Sequence, residues 1–230
     1  MPALYLIRHG QASFAAADYD QLSELGAQQS QHLGEYFGAQ GVSPDTVICG
    51  GMKRHRQTAE HCLKALKLAP TAVSWLEDSD WNEYDHTGLL EAYTVLPGKA
   101  DELMTDMSGE NPRAGFQRHF AAAMTRWVNG GHDQDYTESW SEFCQRVARG
   151  LMAAAEGRKG NVFVFTSGGA ISAVCRDLLG LSNSKTAELS WQLANAGYTK
   201  VLAGSAGIKL ASINEHSHFD GRHRELLSYR

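Results

Sequence analysis

Short apolar runs alternate with longer amphipathic segments along most of the chain. A continuous apolar run at 4–7 predicts a buried strand, and short, mainly apolar segments at 46–49, 73–76 and 161–166 predict further strands. Between them, apolar residues at helical spacing predict helices from Ser23 to near Gly41 and at 52–68, 115–128, 139–156 and 169–179. This alternation predicts a three-layer α/β/α fold, with a mainly parallel sheet and helices on both of its faces.

Two stretches depart from the alternation. Segments 199–203 and 208–213 flank Gly204-Ser205-Ala206-Gly207, a pattern that predicts a β-hairpin. Between about 78 and 135, repeated Gly and Pro residues separate short helical stretches. This region is too short and too interrupted to form a domain of its own. We therefore expect one domain over 1–230, with a helical insertion at 78–135 that packs over the sheet.

Composition and charge narrow the class of protein. The 230 residues are 43% hydrophobic and carry a formal net charge of -5, which fits a globular chain with a sizeable core. The acidic balance disfavours nucleic acid and anionic membranes as partners, because both attract basic surfaces. No apolar run reaches the length of a bilayer span, and no segment has the pattern of a secretory signal. These features predict a cytoplasmic protein.

The first strand leads directly into Arg8-His9-Gly10-Gln11. In open α/β sheets, ligands bind beyond the carboxyl ends of the strands. Arg8 offers a planar fork of donors that suits phosphate, and His9 can attack through one ring nitrogen while a backbone carbonyl holds the other as N–H. Gly10, without a Cβ, lets a ligand approach the backbone. The alternative interpretation is a chance tripeptide at the end of a strand.

Two further segments favour the same edge of the sheet. Arg54 lies at the start of the helix after the second strand, so it projects toward this edge unless it belongs to a solvated basic helix face. Strand 161–166 runs into Ser167-Gly168-Gly169 at the start of another helix. Backbone N–H groups at a helix N-terminus bind anions without a charged side chain. Ser167 and Gly168 are therefore candidate phosphate ligands.

These motifs resemble one family over nearly the whole chain. The sequence is similar to the histidine phosphatase, or phosphoglycerate mutase-like, superfamily. The segments that carry the resemblance are LYLIRHGQ at 4–11, LSELGAQQ at 22–29, RHRQTA at 54–59, LEDSDWNEYDHTG at 76–88, ESWSEFCQR at 138–146, VFTSGGAIS at 164–172 and NAGYT at 195–199.

The resemblance implies a metal-independent phosphatase without a cofactor, in which the insertion covers the active site. His9 would take the phosphoryl group, while Arg8 and Arg54 neutralise the phosphoryl oxygens. Glu83 matches the family's acidic residue that protonates the leaving oxygen; without the resemblance it is a surface carboxylate. Gln11 either supplies a further hydrogen bond to the ligand or caps a turn.

Two positions depart from the family pattern. Ser167 stands where the family usually has a second histidine, and Ala15 where it tends to have asparagine. A serine donates a hydrogen bond to phosphate but carries no positive charge, and loss of one preorganised donor commonly costs about a hundredfold in rate. We therefore expect weak activity, unless His86 or His55 replaces the missing cation. If the missing imidazole limits the rate, Ser167→His should raise turnover.

Three functions fit these residues. Hydrolysis of a small phosphate monoester is the leading interpretation. A phosphomutase, or a catalytically impaired phospholigand-binding or regulatory protein, is the alternative. His9, Arg54 and Glu83 together favour an enzyme, because binding needs neither a nucleophile nor an acid. The expected partner is a small phosphorylated substrate, in an oligomeric state that the sequence leaves open.

We do not expect a metal site. A group of polar residues near the C-terminal end, His216, His218, Asp220 and His223, is better assigned to a polar tail than to a metal site. By the family resemblance, His218-Phe219 matches a structural segment. The four cysteines are scattered without CxxC spacing, which predicts buried free thiols.

Overall fold

The computed structural model describes residues 2–13 and 20–229. Six strands within these ranges form one mixed sheet: β1 (Ala3–Arg8), β2 (Thr46–Cys49), β3 (Ser74–Glu77), β4 (Asn161–Thr166), β5 (Tyr198–Gly204) and β6 (Gly207–Glu215). Their order across the sheet is β3-β2-β4-β1-β5-β6. Helices cover both faces, and the predicted three-layer α/β/α fold is confirmed.

The helices are α1 (Glu24–Ala39), α2 (Lys53–Ala65), α3 (His86–Thr94), α4 (Lys99–Met107), α5 (Pro112–Val128), α6 (Trp140–Ala155), α7 (Gly168–Leu179) and α8 (Asn183–Gln192). The sequence pattern did not predict α8. Within the described ranges, every helix is too short or too polar to cross a bilayer.

The burial of β2, β4 and β1 explains their apolar sequences. These parallel strands are neighbours inside the sheet, and helices bury both of their faces. β3 pairs in parallel with β2 at an edge of the sheet, where its residues are exposed or half-buried. Successive side chains of a strand point to opposite faces, so Leu4 and Leu6 of β1 enter one core while Tyr5 and Ile7 enter the other. Complete burial of one such side chain contributes about 1.5–3 kcal/mol. β5 and β6 form the predicted antiparallel hairpin, which lies at the edge of the sheet opposite to β3.

Polar caps fix the starts of two predicted helices. Ser23 Oγ accepts a hydrogen bond from the Gly26 N–H at 3.1 Å, at the start of α1. Ser139 and Glu142 form a reciprocal capping box at the start of α6. The end of α2 differs from the prediction: the helix ends at Ala65, and the chain then reverses through a left-handed conformation at Lys67, with φ at 58°.

Helices α3, α4 and α5 form most of the interrupted region at 78–135. Apolar residues of α3 and α5, including Leu89 and Trp127, join the core on one side of the sheet, whereas α4 has no buried residue. That the region 78–135 is an insertion within a single domain over 1–230 stays a prediction.

Close packing of α1 against α2 depends on Gly34. A Cβ there would lie 2.2 Å from the Cys62 carbonyl oxygen. Gly34→Ala is expected to lower the free energy of unfolding by about 1–3 kcal/mol, as overpacking does. Gly38→Ala on the same helix is the control: its Cβ would meet no atom closer than 3.8 Å, so helix propensity should add about 0.5–1 kcal/mol. Urea unfolding measures both variants, and equal stabilities would contradict this account.

Candidate active site

Three parallel strands end together at one edge of the sheet. β1 is paired with β4 to its last residue, and β2 runs beside β4 to within one residue of that end. The residues that follow, His9, Ser167 and Gly50, therefore leave the sheet side by side. A cavity of about 420 Å³ opens at this edge. It is lined by Arg8, His9, Ala12, Arg54, Glu83, Tyr84, His86, Thr87, Phe116, Phe120 and Asn195.

His9 lies in the wall of this cavity, with only 7% of its surface exposed. Its Nδ1 lies 2.7 Å from the Gly10 carbonyl oxygen. Because a carbonyl oxygen only accepts, Nδ1 carries the proton and Nε2 keeps its lone pair. Burial, followed by the positive charges of Arg54 and Arg8, holds the pKa of His9 well below its usual range. The ring is therefore neutral near pH 7, the form in which Nε2 is a nucleophile.

Gly10 makes room for a helix. A Cβ at this position would lie 2.3 Å from the Gly26 carbonyl oxygen of α1 and 2.8 Å from Ser30 Oγ. The space that the sequence analysis assigned to an approaching ligand is thus filled by α1. Gly10 still shapes the site, because close packing against α1 fixes the loop that carries His9.

Arg54 enters the cavity wall from the first turn of α2 and is 3% exposed. Its Nη1 donates to Asp20 Oδ1 at 2.9 Å, and Asp20 Oδ2 accepts from the Lys53 N–H at 2.9 Å. Thr58 ties the helix to the His9 loop: its hydroxyl donates to the Arg54 carbonyl at 2.7 Å and accepts from the Gly10 N–H at 3.1 Å. The guanidinium and the imidazole are therefore held in a fixed relation.

Arg8 lies at the same cavity, but main-chain oxygens anchor its guanidinium. Nη1 donates to the carbonyl oxygens of Leu193 and Tyr229, the second at 2.9 Å. Its charge stays beside the cavity, although this nitrogen is already committed to the protein.

Glu83 reaches the cavity from the loop before α3. Its Oε2 accepts from the Gly169 N–H at 3.1 Å and its Oε1 from the Tyr84 N–H at 3.3 Å. A Cβ at residue 169 would lie 2.1 Å from Oε1, so only glycine leaves room for the carboxylate. The carboxylate therefore sits at the N-terminus of α7, where the helix dipole favours a negative group.

Three predicted phosphate ligands lie outside the cavity wall. Gln11 Oε1 accepts from Ser23 Oγ at 3.1 Å, the turn-capping arrangement that the sequence left open. Ser167 is 0% exposed, and Gly168 is buried against the Ser190 carbonyl oxygen, which a Cβ would approach to 2.9 Å. Glu83 already occupies the start of α7, so Ser167 and Gly168 support the site from behind.

Of the two histidines considered as substitutes, His55 lies next to the nucleophile. The ring centroids of His55 and His9 are 5.8 Å apart, and His55 Nε2 lies 2.6 Å from Ser167 Oγ. Burial, followed by the charge of Arg54, holds the pKa of His55 well below its usual range, so it adds an imidazole but no cation near pH 7. His86 lines the cavity from the start of α3, where its Nδ1 lies 3.3 Å from the Tyr84 carbonyl oxygen.

Sequence reasoning missed several residues of the site. Asp20 had no signal, because its pairing with Arg54 joins segments far apart in the chain. Asn195 lies within the NAGYT segment, yet its role was not assigned: its Nδ2 donates to the His9 carbonyl at 3.2 Å. Phe116 and Phe120 of α5 supply part of the cavity wall. Ala15 lies outside the described residues.

Among the described residues, no group of three or more His, Cys, Asp or Glu side chains is arranged to hold a metal.

All four cysteines are buried free thiols, as predicted. His218 is buried against Phe219, with ring centroids 4.0 Å apart, which agrees with a structural role for this pair. Burial lowers its pKa to about 3.

Comparisons with known proteins show the family and the fold. A model of the histidine phosphatase superfamily (branch 1) matches residues 4–118 and 104–216. Among solved structures, YhfR from Bacillus stearothermophilus has 16% identity and a TM-score of 0.66, with 96% of this chain and 100% of that chain covered. A phosphoglycerate mutase from Bacillus anthracis str. Sterne has 20% identity and a TM-score of 0.62, with 94% of each chain covered.

A phosphoserine phosphatase from Entamoeba histolytica, in complex with 3-phosphoglyceric acid, has 17% identity and a TM-score of 0.61, with 95% of this chain and 99% of that chain covered. No curated protein matches the sequence. At these identities, the solved structures establish the fold alone.

Proposed function

The chain belongs to the histidine phosphatase superfamily, and from this premise we propose that it hydrolyses small phosphate monoesters through a phosphohistidine on His9. One observation carries the proposal: a neutral imidazole, whose Nε2 has no hydrogen-bond partner among the described residues, shares a cavity with the Arg54 guanidinium and the Glu83 carboxyl group.

In the first step, His9 Nε2 attacks phosphorus and the bond from phosphorus to the ester oxygen breaks. Arg54 stabilises the negative charge on the phosphoryl oxygens, with the charge of Arg8 close by. The negative charge of the bound phosphate opposes the carboxylate form that the start of α7 favours in the empty site, so Glu83 takes part in its protonated form. Its proton passes to the leaving oxygen, which departs as an alcohol. Gly10 continues to accept from Nδ1–H, so the ring keeps its orientation while Nε2 carries the phosphoryl group.

In the second step, water attacks phosphorus. Glu83, now a carboxylate, takes a proton from the water as the N–P bond breaks, which regenerates the acid form. Inorganic phosphate leaves, and His9 returns to its neutral state with the proton still on Nδ1. No metal takes part in this sequence.

The rest of the cavity wall supports an uncharged leaving group. Tyr84, Phe116 and Phe120 provide aromatic surface there, and the rings of Phe116 and Phe120 are stacked at 6.0 Å. Among the described lining residues, the guanidinium groups are those of Arg8 and Arg54, both needed for the phosphoryl oxygens. A mutase acting on a second anionic group would need further cations, so this wall favours a phosphatase.

Among the described residues, the lysine and arginine side chains of the interrupted region at 78–135 do not extend positive charge over the cavity. Lys99 pairs with Glu102 at 2.7 Å, and Arg118 pairs with Asp106 at 2.8 Å. His119 is buried against Asp106 at 2.9 Å, and none of these basic residues lines the cavity.

Trapping the phosphoenzyme tests the proposal. The protein is mixed with a generic aryl phosphate and quenched, and its phosphopeptides are mapped. We expect an acid-labile phosphoryl group on residue 9 that appears within one turnover and is absent from His9→Ala. Release of phosphate without this intermediate would overturn the mechanism. Tight binding of phosphate ligands without turnover would support the regulatory alternative, and transfer of label to an added alcohol would support the mutase.

A further inference from the structure

A buried polar pair lies directly behind the nucleophile. His55 and Ser167 are both 0% exposed, and their side chains meet at 2.6 Å between Nε2 and Oγ. Ser167 is the first residue after β4, beside His9, which follows β1; the His9 N–H donates to the Thr166 carbonyl at 2.9 Å. The pair thus lies against the loop that must hold the attacking ring.

The chain closes tightly around the His55 ring. Its Nδ1 lies beside the Gly50 backbone without a well-aligned hydrogen bond. A Cβ at residue 50 would come within 2.4 Å of that nitrogen. Ser167 Oγ does not cap α7, although Ser167 occupies the N-cap position. Its hydrogen bond within the described ranges is the one to His55, so each side chain depends on the other for polar contact.

We propose that His55 and Ser167 form a positioning pair for His9, in which α2 supplies the imidazole that the sequence lacks at position 167. This inference rests on the proposed function of His9. The His55 ring stands beside the His9 ring, with centroids 5.8 Å apart and planes inclined by 35°. Together with the hydrogen bond from Nδ1–H to Gly10, the His55 ring keeps His9 Nε2 directed toward the cavity, while the bond to Ser167 holds His55 in place.

A buried, hydrogen-bonded and uncharged pair is suited to hold a neutral nucleophile in position. A misplacement of about 1 Å at a reacting group costs about a hundredfold in rate. A buried polar atom without a partner is costly, so the short bond between His55 and Ser167 holds a single arrangement. A neutral imidazole also puts no second cation beside a nucleophile that must itself stay neutral.

This geometry revises the expectation for Ser167→His. A second imidazole at position 167 would have to occupy space that His55 fills, since the two side chains already meet at 2.6 Å and neither reaches solvent. The substitution is therefore expected to lower turnover in the parent background.

Two variants separate positioning from space filling. His55→Phe keeps an aromatic ring of similar size but removes the bond to Ser167, whereas His55→Gln keeps a hydrogen-bonding group. We expect phosphoenzyme formation in single turnover to fall by about 10- to 100-fold in His55→Phe with KM little changed, and by less than about threefold in His55→Gln. Parent rates in His55→Phe would overturn the proposal.

If His55 and Ser167 act as a pair, the effects of substitutions at the two positions should be strongly coupled. Ser167→Ala should slow phosphoenzyme formation as His55→Phe does, and the double variant should be no more than about threefold slower than the slower single variant. Multiplication of the two losses would mean independent contributions and would contradict the pair. Circular dichroism and urea unfolding identify any variant that has lost its fold.

Imidazole ¹⁵N NMR tests the pair apart from catalysis. In the parent protein, His9 should carry its proton on Nδ1 in a single tautomer. In His55→Phe and Ser167→Ala, we expect a mixture of tautomers or a broadened signal, with the parent pattern retained in His55→Gln. If the parent forms no phosphoenzyme, the proposed function fails but this measurement still decides the pair. An unchanged His9 signal in both disruptive variants would overturn it.

Discussion

His9→Ala is expected to lower kcat/KM by about four orders of magnitude or more, as the loss of a covalent nucleophile does in other enzymes. No other imidazole of the described residues takes its position: His55 is fully buried behind it, and His86 enters from the start of α3. Arg54 and Glu83 remain in the variant, so binding of phosphate should persist while phosphoryl transfer stops.

Steady-state kinetics with an aryl phosphate measure the loss, and calorimetry with inorganic phosphate measures the remaining binding. His132→Ala, at an exposed histidine away from the cavity, is the matched control and should keep parent kinetics. Retention of more than about one tenth of parent activity in folded His9→Ala would mean that another group attacks phosphorus.

Glu83→Gln is expected to slow phosphoenzyme formation by a factor that depends on the leaving group of the substrate. A carboxamide has no proton to transfer, and general acid catalysis contributes about 10²- to 10⁴-fold. An alkyl phosphate, whose alkoxide is a poor leaving group, should lose that factor in phosphoenzyme formation. An aryl phosphate with an acidic phenol departs without protonation and should form the phosphoenzyme at nearly the parent rate.

Rapid-quench kinetics on the two substrate classes give the comparison. Glu91→Gln is the control, since Glu91 is an exposed carboxylate of α3 that does not line the cavity. If the rate of phosphoenzyme formation falls equally on alkyl and aryl substrates, Glu83 does not act as the general acid and instead contributes to binding or folding.

The sequence predicted the central sheet because local pattern and tertiary environment agree there. β2 and β4 lie where the apolar runs are, and both ends of each strand match the prediction. The hairpin of β5 and β6 was equally accessible, since glycines bound its turn. The end of α2 and the whole of α8 were harder, because neither follows a clear change in apolar spacing.

Only part of the candidate site could be predicted from the sequence. Motifs at the ends of strands located His9 and Arg54, which line one cavity. The partners of those residues come from elsewhere: Asp20 for Arg54, and Asn195 for the carbonyl of His9. Such contacts depend on the packing of distant segments, which no local pattern encodes. The same limit explains Gly10, whose missing Cβ serves α1.

The parallel course of β1, β4 and β2 has a consequence for how related chains are aligned. Because these strand ends lie side by side, a side chain from one segment can meet a residue of another, as His55 meets Ser167 here. A comparison of related chains that reads position 167 alone therefore misses the imidazole that residue 55 brings to it. If the pair positions His9 as proposed, positions 55 and 167 need to be read together when related chains are compared.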